Sequence, residues 1–259
     1  FQNLTRGQIF RGIAANINIT AFSILFKIPF VIYQLRISKL KVSKIFCCLM
    51  RFISLFTILM LGTRGAILAS FIMIGLSILV SLFRGNLREN LINSLTIGLI
   101  LIFALLVNVK LQDESNNKVT NRLSTLANPI NDSSINERLS YYNLSLPSIK
   151  DDPIIGMGLG NWKIESIPYV LNDKRSYIVP YHSHNDFLQI GAELGLIGLG
   201  LYMIIFGLIF YLLYKLFLSN RMDKNFLEAL LLFFVCYLVD ANLNFPISRV
   251  IIQIFFILI

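Results

Sequence analysis

Two histidines stand one residue apart in the stretch YHSHND. An imidazole can accept a proton or bind a metal ion, so both kinds of chemistry are possible here. His182 and His184 are the only histidines of the 259-residue chain, and a long apolar run follows them. Because an imidazole has an ordinary pKa of about 6.5, a neutral histidine can accept a proton from a hydroxyl group. His184 is therefore a candidate general base at a membrane boundary. The alternative is an interfacial histidine that only caps the following helix.

The same stretch offers ligands for a metal ion, since Asp186 lies two residues beyond His184. Ligands at alternate positions suit a β-strand, whereas this segment leads into a helix. Any further ligands would have to be carboxylates, because the chain has no third histidine. We therefore expect no metal site.

Arginines form a second group of candidates. Arg64 lies between two apolar runs, where a buried charge is costly and usually serves a function. A guanidinium can bind a phosphate through two parallel hydrogen bonds, so Arg64 is a candidate diphosphate ligand. The alternative is an arginine that extends to the membrane surface. Arg138 lies in NERLSYYN, a predicted amphipathic helix that begins near Asn136. With Tyr141 and Tyr142 it could line a sugar or diphosphate cleft, or it could belong to a solvated helix face.

Four other side chains at membrane edges could support these groups. Asp240 and Glu193 could each orient a histidine or neutralise an arginine, and Arg249 would be costly if buried. Trp162, the only tryptophan, could stack on a sugar or anchor the chain at the bilayer surface. The alternative for each is an interfacial side chain without a role in chemistry.

The elements that position these residues are predicted to be membrane-spanning helices. The chain is 56% hydrophobic and 14% charged, with a mean hydropathy of +0.70, whereas a soluble domain carries about 25% charged residues. Several apolar runs reach the length of about 20 residues that a spanning helix needs. We predict an all-α polytopic membrane protein with six or seven spans and a large, mostly helical periplasmic loop. The predicted spans are 13–35, 45–61, 66–83, 91–109, 187–214, 226–239 and a truncated one from about 247.

This pattern divides the chain into three parts. Residues 1–109 hold about four spans, residues 110–184 form the polar loop, and residues 185–259 hold two spans and the truncated third. Since the chain begins at Phe1 and ends within an apolar run, we expect both ends to be cut from a longer protein.

The distribution of basic residues predicts the orientation. Short loops rich in lysine and arginine usually face the cytoplasm, and three such loops fall on one side of the predicted topology. Arg64, the polar loop and both histidines then face the other side. The net charge of +9 comes largely from the short loops, so it indicates orientation and attraction to lipid surfaces rather than nucleic-acid binding. The basic residues of these loops are Arg36, Lys39, Lys41, Lys44, Arg84, Arg88, Lys215, Arg221 and Lys224.

Several motifs in this order resemble those of the O-antigen ligase and polymerase family of bacterial envelope glycosyltransferases. They are GIAANIN, TRGA, NERLSYYNLSLPSIKDDPIIGMGLGNW, HSHNDFLQIGAELGLIGL and DANLNFPISR. The most specific match is a histidine signature that His184, Asn185, Gly195 and Gly198 fit and His182 does not. The resemblance therefore makes the two histidines unequal, with His182 as a supporting neighbour.

The resemblance implies an enzyme of the bacterial inner membrane whose site faces the periplasm. It would transfer a glycan from undecaprenyl diphosphate to an acceptor hydroxyl, such as one of lipid A-core, without a nucleotide sugar, a metal or another cofactor. His184 would act as the base or position the acceptor, and Arg64 and Arg138 would bind the diphosphate. The supporting residues would be His182, Asn185, Glu193, Asp240 and Arg249.

Other functions stay open at this point. Similar motifs occur in ligases, in O-antigen polymerases and in protein O-oligosaccharyltransferases, and none of them fixes the acceptor. A transporter could use Arg64, Arg249 and Asp240 as a path for ions, but it would be expected to show repeat symmetry, and no repeat is evident. A non-catalytic envelope scaffold would tolerate the loss of His184.

Overall fold

A computed structural model describes residues 16–84, 133–170 and 180–258, together with the isolated positions 98, 102 and 106. Within these ranges the chain forms helices and no β-strand, which confirms the predicted all-α class. The predicted fourth span and the beginning of the polar loop fall largely outside the described residues. The helices are α1 (Ile17–Leu25), α2 (Ile28–Ile37), α3 (Lys41–Leu61), α4 (Arg64–Arg84), α5 (Ser133–Asp151), α6 (Trp162–Glu165), α7 (Ile167–Val170), α8 (Asp186–Ser219), α9 (Lys224–Leu243) and α10 (Val250–Leu258), with a 3₁₀ turn at Pro246–Ser248.

Five segments of the described chain are long and apolar enough to cross a membrane. They coincide with five of the six predicted spans that reach the described ranges, so the chain is a multi-pass membrane protein. The predicted count of six or seven is not confirmed. The predicted last span corresponds to α10, of which nine residues are helical. The five segments are Ile17–Ile37, Lys41–Leu61, Arg64–Arg84, Asp186–Ser219 and Lys224–Leu243.

The chain forms two compact units. Unit 1 comprises Phe1–Leu126 and Leu216–Val239, and unit 2 comprises Ala127–Lys215 and Asp240–Ile259. Helix α9 begins in unit 1, and its last turn belongs to unit 2. The histidine segment, the polar-loop helices and DANLNFPISR therefore all lie in unit 2, whereas Arg64 lies in unit 1.

Single residues set the ends of the helices in unit 1. The Asn16 side chain accepts a hydrogen bond from the Asn18 amide at 2.9 Å and so caps α1. Pro29 lies in the first turn of α2, where its missing N–H costs little. The helical hydrogen-bonding pattern is interrupted just before it, between α1 and α2. Helix α3 ends at Gly62, whose φ of 61° suits a glycine.

A buried ion cluster joins α2, α4 and α9 within unit 1. The Glu228 carboxylate accepts hydrogen bonds from Arg36 Nη1 at 2.7 Å and Nη2 at 3.0 Å. It also accepts bonds from Arg84 at 3.0 Å and from Ser77 at 2.9 Å. Because both carboxylate oxygens are satisfied by donors on other helices, the cluster fixes the relative positions of three helices.

Candidate active site

His184 lies in a tight turn directly before α8. Its φ of 58° is uncommon for a residue other than glycine. Ser183 stabilises the turn through a hydrogen bond from its hydroxyl to the Asn185 carbonyl oxygen at 2.7 Å. The Asn185 side chain accepts bonds from the amides of Phe187 at 3.0 Å and Leu188 at 3.1 Å, so Asn185 caps α8. The interpretation of His184 as a helix cap is therefore wrong.

Aromatic rings hold both imidazoles. The His184 ring stacks on Tyr141, with centroids 5.6 Å apart and an interplanar angle of 17°. Its other neighbour is Phe245, which it meets edge to face at 5.1 Å. His182 stacks on the same phenylalanine at 4.1 Å. Phe245 thus lies between the two histidines, a role that the sequence reasoning missed, although the residue is part of DANLNFPISR.

Asp240 neutralises Arg249, which is one of the two roles expected of it. The Arg249 guanidinium donates to the Asp240 carboxylate at 3.1 Å, and the Asn244 side chain donates to the same carboxylate at 2.7 Å. All three residues are buried. The guanidinium carbon also lies 4.8 Å from the centre of the Phe245 ring, a cation–π distance.

The protonation state of His184 follows from its surroundings. Burial is the largest cause that lowers the pKa of His184 to about 4, and the positive charges of Arg138, His182 and Arg249 contribute to the same shift. Its Nδ1 atom is buried and has no hydrogen-bond partner among the described residues. His184 is therefore neutral at pH 7 and keeps a nitrogen lone pair.

His182 differs from His184 because polar groups of α8 lie beside it. Burial lowers the pKa of His182, but a hydrogen bond with the Gln189 side chain and the charge of Glu193 oppose that effect. Gln189 also accepts a bond from the Ser183 amide at 3.3 Å and donates to Glu193 at 3.2 Å. The sequence reasoning missed Gln189, which connects Glu193 to the histidine turn.

Helix α5 brings Arg138, Tyr141 and Tyr142 to one face, because residues three and four apart are neighbours on a helix. The helix begins at Ser133, earlier than the predicted start near Asn136. Burial is the main cause that lowers the pKa of Arg138, and the charges of Tyr142, Asp240 and Glu137 oppose it. The Tyr142 hydroxyl lies 3.0 Å from the Asn242 carbonyl oxygen and 3.4 Å from that of His184.

Glu193 holds the glycine-rich loop GMGLGN rather than an arginine. Its carboxylate accepts a bond from the Gly160 amide at 2.9 Å, and its carbonyl oxygen accepts one from the Gly158 amide at 2.8 Å. These bonds form because α8 kinks at Gly195, where φ is 64° and ψ is −168°. A Cβ atom on Gly195 would overlap the Ile154 carbonyl group. Gly195, which is part of the histidine signature, thus allows the backbone around Ile154 to approach α8 closely.

The loop's tryptophan has neither predicted role. Trp162 is fully buried, and its indole nitrogen donates to the Ser145 hydroxyl at 3.1 Å. A side chain in this position packs α6 against α5 and cannot stack on a sugar or enter the bilayer surface.

Unit 2 thus brings together His182, His184, Asn185, Glu193, Asp240, Arg249 and Arg138. Arg64 lies in unit 1 at the first position of α4, and its role stays a prediction. Asp186 does not join the histidines as a ligand set, because its carboxylate accepts the Ile247 amide at 3.0 Å. Across the described ranges no three His, Cys, Asp or Glu side chains form a group that could hold a metal ion.

Comparison with known proteins gives two matches. The model of a family described as O-antigen ligase matches residues 49–203, more than half of the chain. A protein of Rickettsia conorii named "Putative polysaccharide ligase" is 31% identical over 121 residues. That alignment covers 44% of this chain and 27% of the relative, so the chain matches only about a quarter of the relative's length.

Proposed function

The chain belongs to the O-antigen ligase family, and on that premise we propose that it is a membrane glycosyltransferase. It moves a glycan from undecaprenyl diphosphate to an acceptor hydroxyl of lipid A-core. The observation that carries the proposal is the neutral, partly buried imidazole of His184 near the positive charges of Arg138 and Arg249. A base and cations together suit a reaction that deprotonates a hydroxyl and releases a diphosphate.

The transfer step needs one base and no redox change. The acceptor oxygen attacks the anomeric carbon of the glycan, and the bond from that carbon to the diphosphate oxygen breaks. His184 takes the hydroxyl proton, and undecaprenyl diphosphate leaves with the bonding electron pair. A fixed imidazole next to the reacting oxygen contributes typically 10²–10⁴-fold to such a step.

The cations would stabilise the leaving group. Negative charge develops on the diphosphate as its bond breaks, and a guanidinium that is already in place stabilises that charge without reorganisation. Arg138 has this role in the proposal, and Arg64 is the second candidate from the sequence. A bound diphosphate would also offset the charges that depress the pKa of His184 and make the imidazole a better base in the complex.

The site would face the periplasm from the inner membrane. The support is the concentration of lysine and arginine in the short loops on the other side of the spans. A lipid-linked donor and a lipid-anchored acceptor would both be available at that surface.

The test is complementation of a strain that lacks the protein, using the full-length gene with His184→Ala, His182→Ala or Arg64→Ala. We expect His184→Ala and Arg64→Ala to abolish glycan transfer and His182→Ala to be milder. Since alanine is strained at a φ of 58°, His184→Asn serves as a matched variant that tolerates this backbone. Normal transfer by His184→Asn at normal protein levels would contradict the proposal and would also be the result expected of a scaffold.

Lipopolysaccharide from the deletion strain separates ligase from polymerase, the second candidate within the family. Loss of a ligase leaves bare core while carrier-linked polymer accumulates. Loss of a polymerase leaves core that bears a single repeat. Unchanged lipopolysaccharide together with altered glycoproteins would point to a protein O-oligosaccharyltransferase.

A further inference from the structure

The glycine-rich loop between α5 and α6 exposes three large aliphatic side chains. Ile154 is 63% exposed, and Ile155 and Leu159 are each 76% exposed. They lie within a segment whose flanks, Asp152 and Asn161, are polar and also exposed. Exposed aliphatic residues that are concentrated in one short loop of a membrane protein suggest contact with lipid.

Backbone hydrogen bonds fix this loop on α8. The Met157 amide donates to the Ala192 carbonyl oxygen at 3.0 Å, and the Leu196 amide donates to the Pro153 carbonyl oxygen at 2.8 Å. Both bonds form at the Gly195 kink, where carbonyl and amide groups leave the regular ladder of the helix. The aliphatic side chains therefore project from a fixed backbone at the level of Gly195.

The charge pattern of α8 puts the edge of the bilayer at the same level. Between Glu193 and Lys215 the sequence has no charged residue. A hydrocarbon core of about 30 Å needs about 20 helical residues, and counting back from Lys215 leads to Gly195 or Leu196.

The burial pattern of α8 agrees with that level. Gln189, Glu193 and Gly195 are buried by protein, whereas Leu196 and Ile197 are 57% and 59% exposed. The surface that faces lipid thus begins at the residue that the Pro153 carbonyl contacts.

We propose that Ile154, Ile155 and Leu159 form an apolar wedge that inserts into the bilayer beside α8. The wedge would contact the acyl chains of the outer leaflet, since it is continuous with the lipid-facing surface of α8 that begins at Leu196. The inference rests on the membrane-spanning helix and not on the proposed reaction.

The wedge would fix how far the candidate active site stands from the lipid. Glu193 accepts a hydrogen bond from the loop, and Gln189 connects Glu193 to the histidine turn. Only the short first part of α8, from Asp186 to the kink at Gly195, separates the turn from the loop. At about 1.5 Å per residue, the first residue of α8, Asp186, lies roughly 14 Å from Gly195 along the helix, and His184 lies in the turn just before Asp186. The wedge therefore holds the imidazole on the water side of the hydrocarbon.

The test is depth-dependent quenching in the full-length protein reconstituted in lipid vesicles. Cys48 is the exposed cysteine of the described residues and is first replaced by Cys48→Ser. An environment-sensitive fluorophore is then attached to Ile155→Cys or Leu159→Cys. Asn143→Cys and Lys150→Cys on α5 are the matched controls, because both positions are exposed and polar.

We expect brominated acyl chains to quench the label at positions 155 and 159 at least twofold more than at positions 143 and 150. Aqueous iodide should show the opposite order. Efficient iodide quenching at 155 and 159 would overturn the proposal, because it would place the wedge in water. Protection from both quenchers would also overturn it, because another protein segment or a second copy would then cover the wedge. Neither result depends on glycan transfer.

Discussion

The His182 imidazole lies parallel to the Phe245 ring, with centroids 4.1 Å apart and an interplanar angle of 15°. The same ring meets the edge of His184 at 5.1 Å and the Arg249 guanidinium at 4.8 Å. One hydrocarbon side chain therefore positions three nitrogen-containing groups. Because Phe245 cannot exchange a proton, any effect of its loss on the reaction must act through those neighbours.

Phe245→Ala should lower glycan transfer roughly tenfold or more, a loss of about 1.4 kcal/mol or more of transition-state stabilisation, because small displacements of a base or cation slow the reaction strongly. Phe245→Tyr retains the ring and should keep most activity. The matched control is Phe255→Ala on α10, at a position that is 42% exposed. In-vitro transfer at equal protein amounts checks this, and equal activities of Phe245→Ala and Phe255→Ala would contradict a positioning role.

The contrast between His184 and Phe245 shows what sequence could and could not predict. A histidine next to an apolar run has few chemical roles, so His184 could be singled out from its type and position. Phe245 is one of 21 phenylalanines, and only the fold places it between the histidines. Likewise, the polar residues before α8 predicted a capped helix, but which side chain caps it depends on backbone angles that sequence does not give.

Gly195→Ala should strongly destabilise the protein. A Cβ atom there would overlap the Ile154 carbonyl, and a φ of 64° disfavours any L side chain. We expect much lower protein abundance in the membrane and a lower Tm in detergent. Gly200→Ala is the control, because a Cβ atom at Gly200 meets nothing within 4 Å. That helical substitution should be neutral or stabilise by up to about 1 kcal/mol, and equal Tm values for the two variants would refute the backbone contact.

Gly195 and Gly156 show what a topology predicted from apolar length does not include. Five of the spans predicted from apolar length agree with helical segments of the described chain, because a bilayer fixes the length of the helix that crosses it. The kink at Gly195 does not change hydropathy, so α8 was predicted as one uninterrupted span. Its partner, the loop around Gly156, lies about 40 residues earlier in the sequence, and such close approaches become visible only in three dimensions.

Glu228→Gln should destabilise unit 1, because it leaves the Arg36 and Arg84 charges without their carboxylate. Breaking a buried ion pair by removal of one partner costs about 3–5 kcal/mol. Asp223→Asn is the control, since Asp223 is exposed and an asparagine can still accept the Asn225 amide bond. Thermal unfolding in detergent should show a lower Tm for Glu228→Gln alone. A Tm for Glu228→Gln equal to that of Asp223→Asn would argue against a stabilising cluster.

The depressed pKa of His184 predicts how stability depends on pH. In the unfolded chain the imidazole titrates near its ordinary pKa of about 6.5, whereas in the folded protein the pKa is about 4. Between these values the unfolded state binds more protons than the folded state. The contribution of His184 to the free energy of unfolding is therefore fully present above the unfolded pKa and is lost as pH falls toward the folded pKa. At about pH 5 the loss from this one group is about 2 kcal/mol.

His184→Asn should remove that part of the pH dependence, since asparagine does not titrate and tolerates the same backbone conformation. Thermal unfolding of both proteins at about pH 7.5 and about pH 5 measures it. We expect the wild type to lose more stability than His184→Asn between these conditions by about the same 2 kcal/mol. Parallel losses in the two proteins would mean that His184 titrates alike in the folded and unfolded states. The imidazole would then be solvated in the folded protein rather than partly buried between Tyr141 and Phe245.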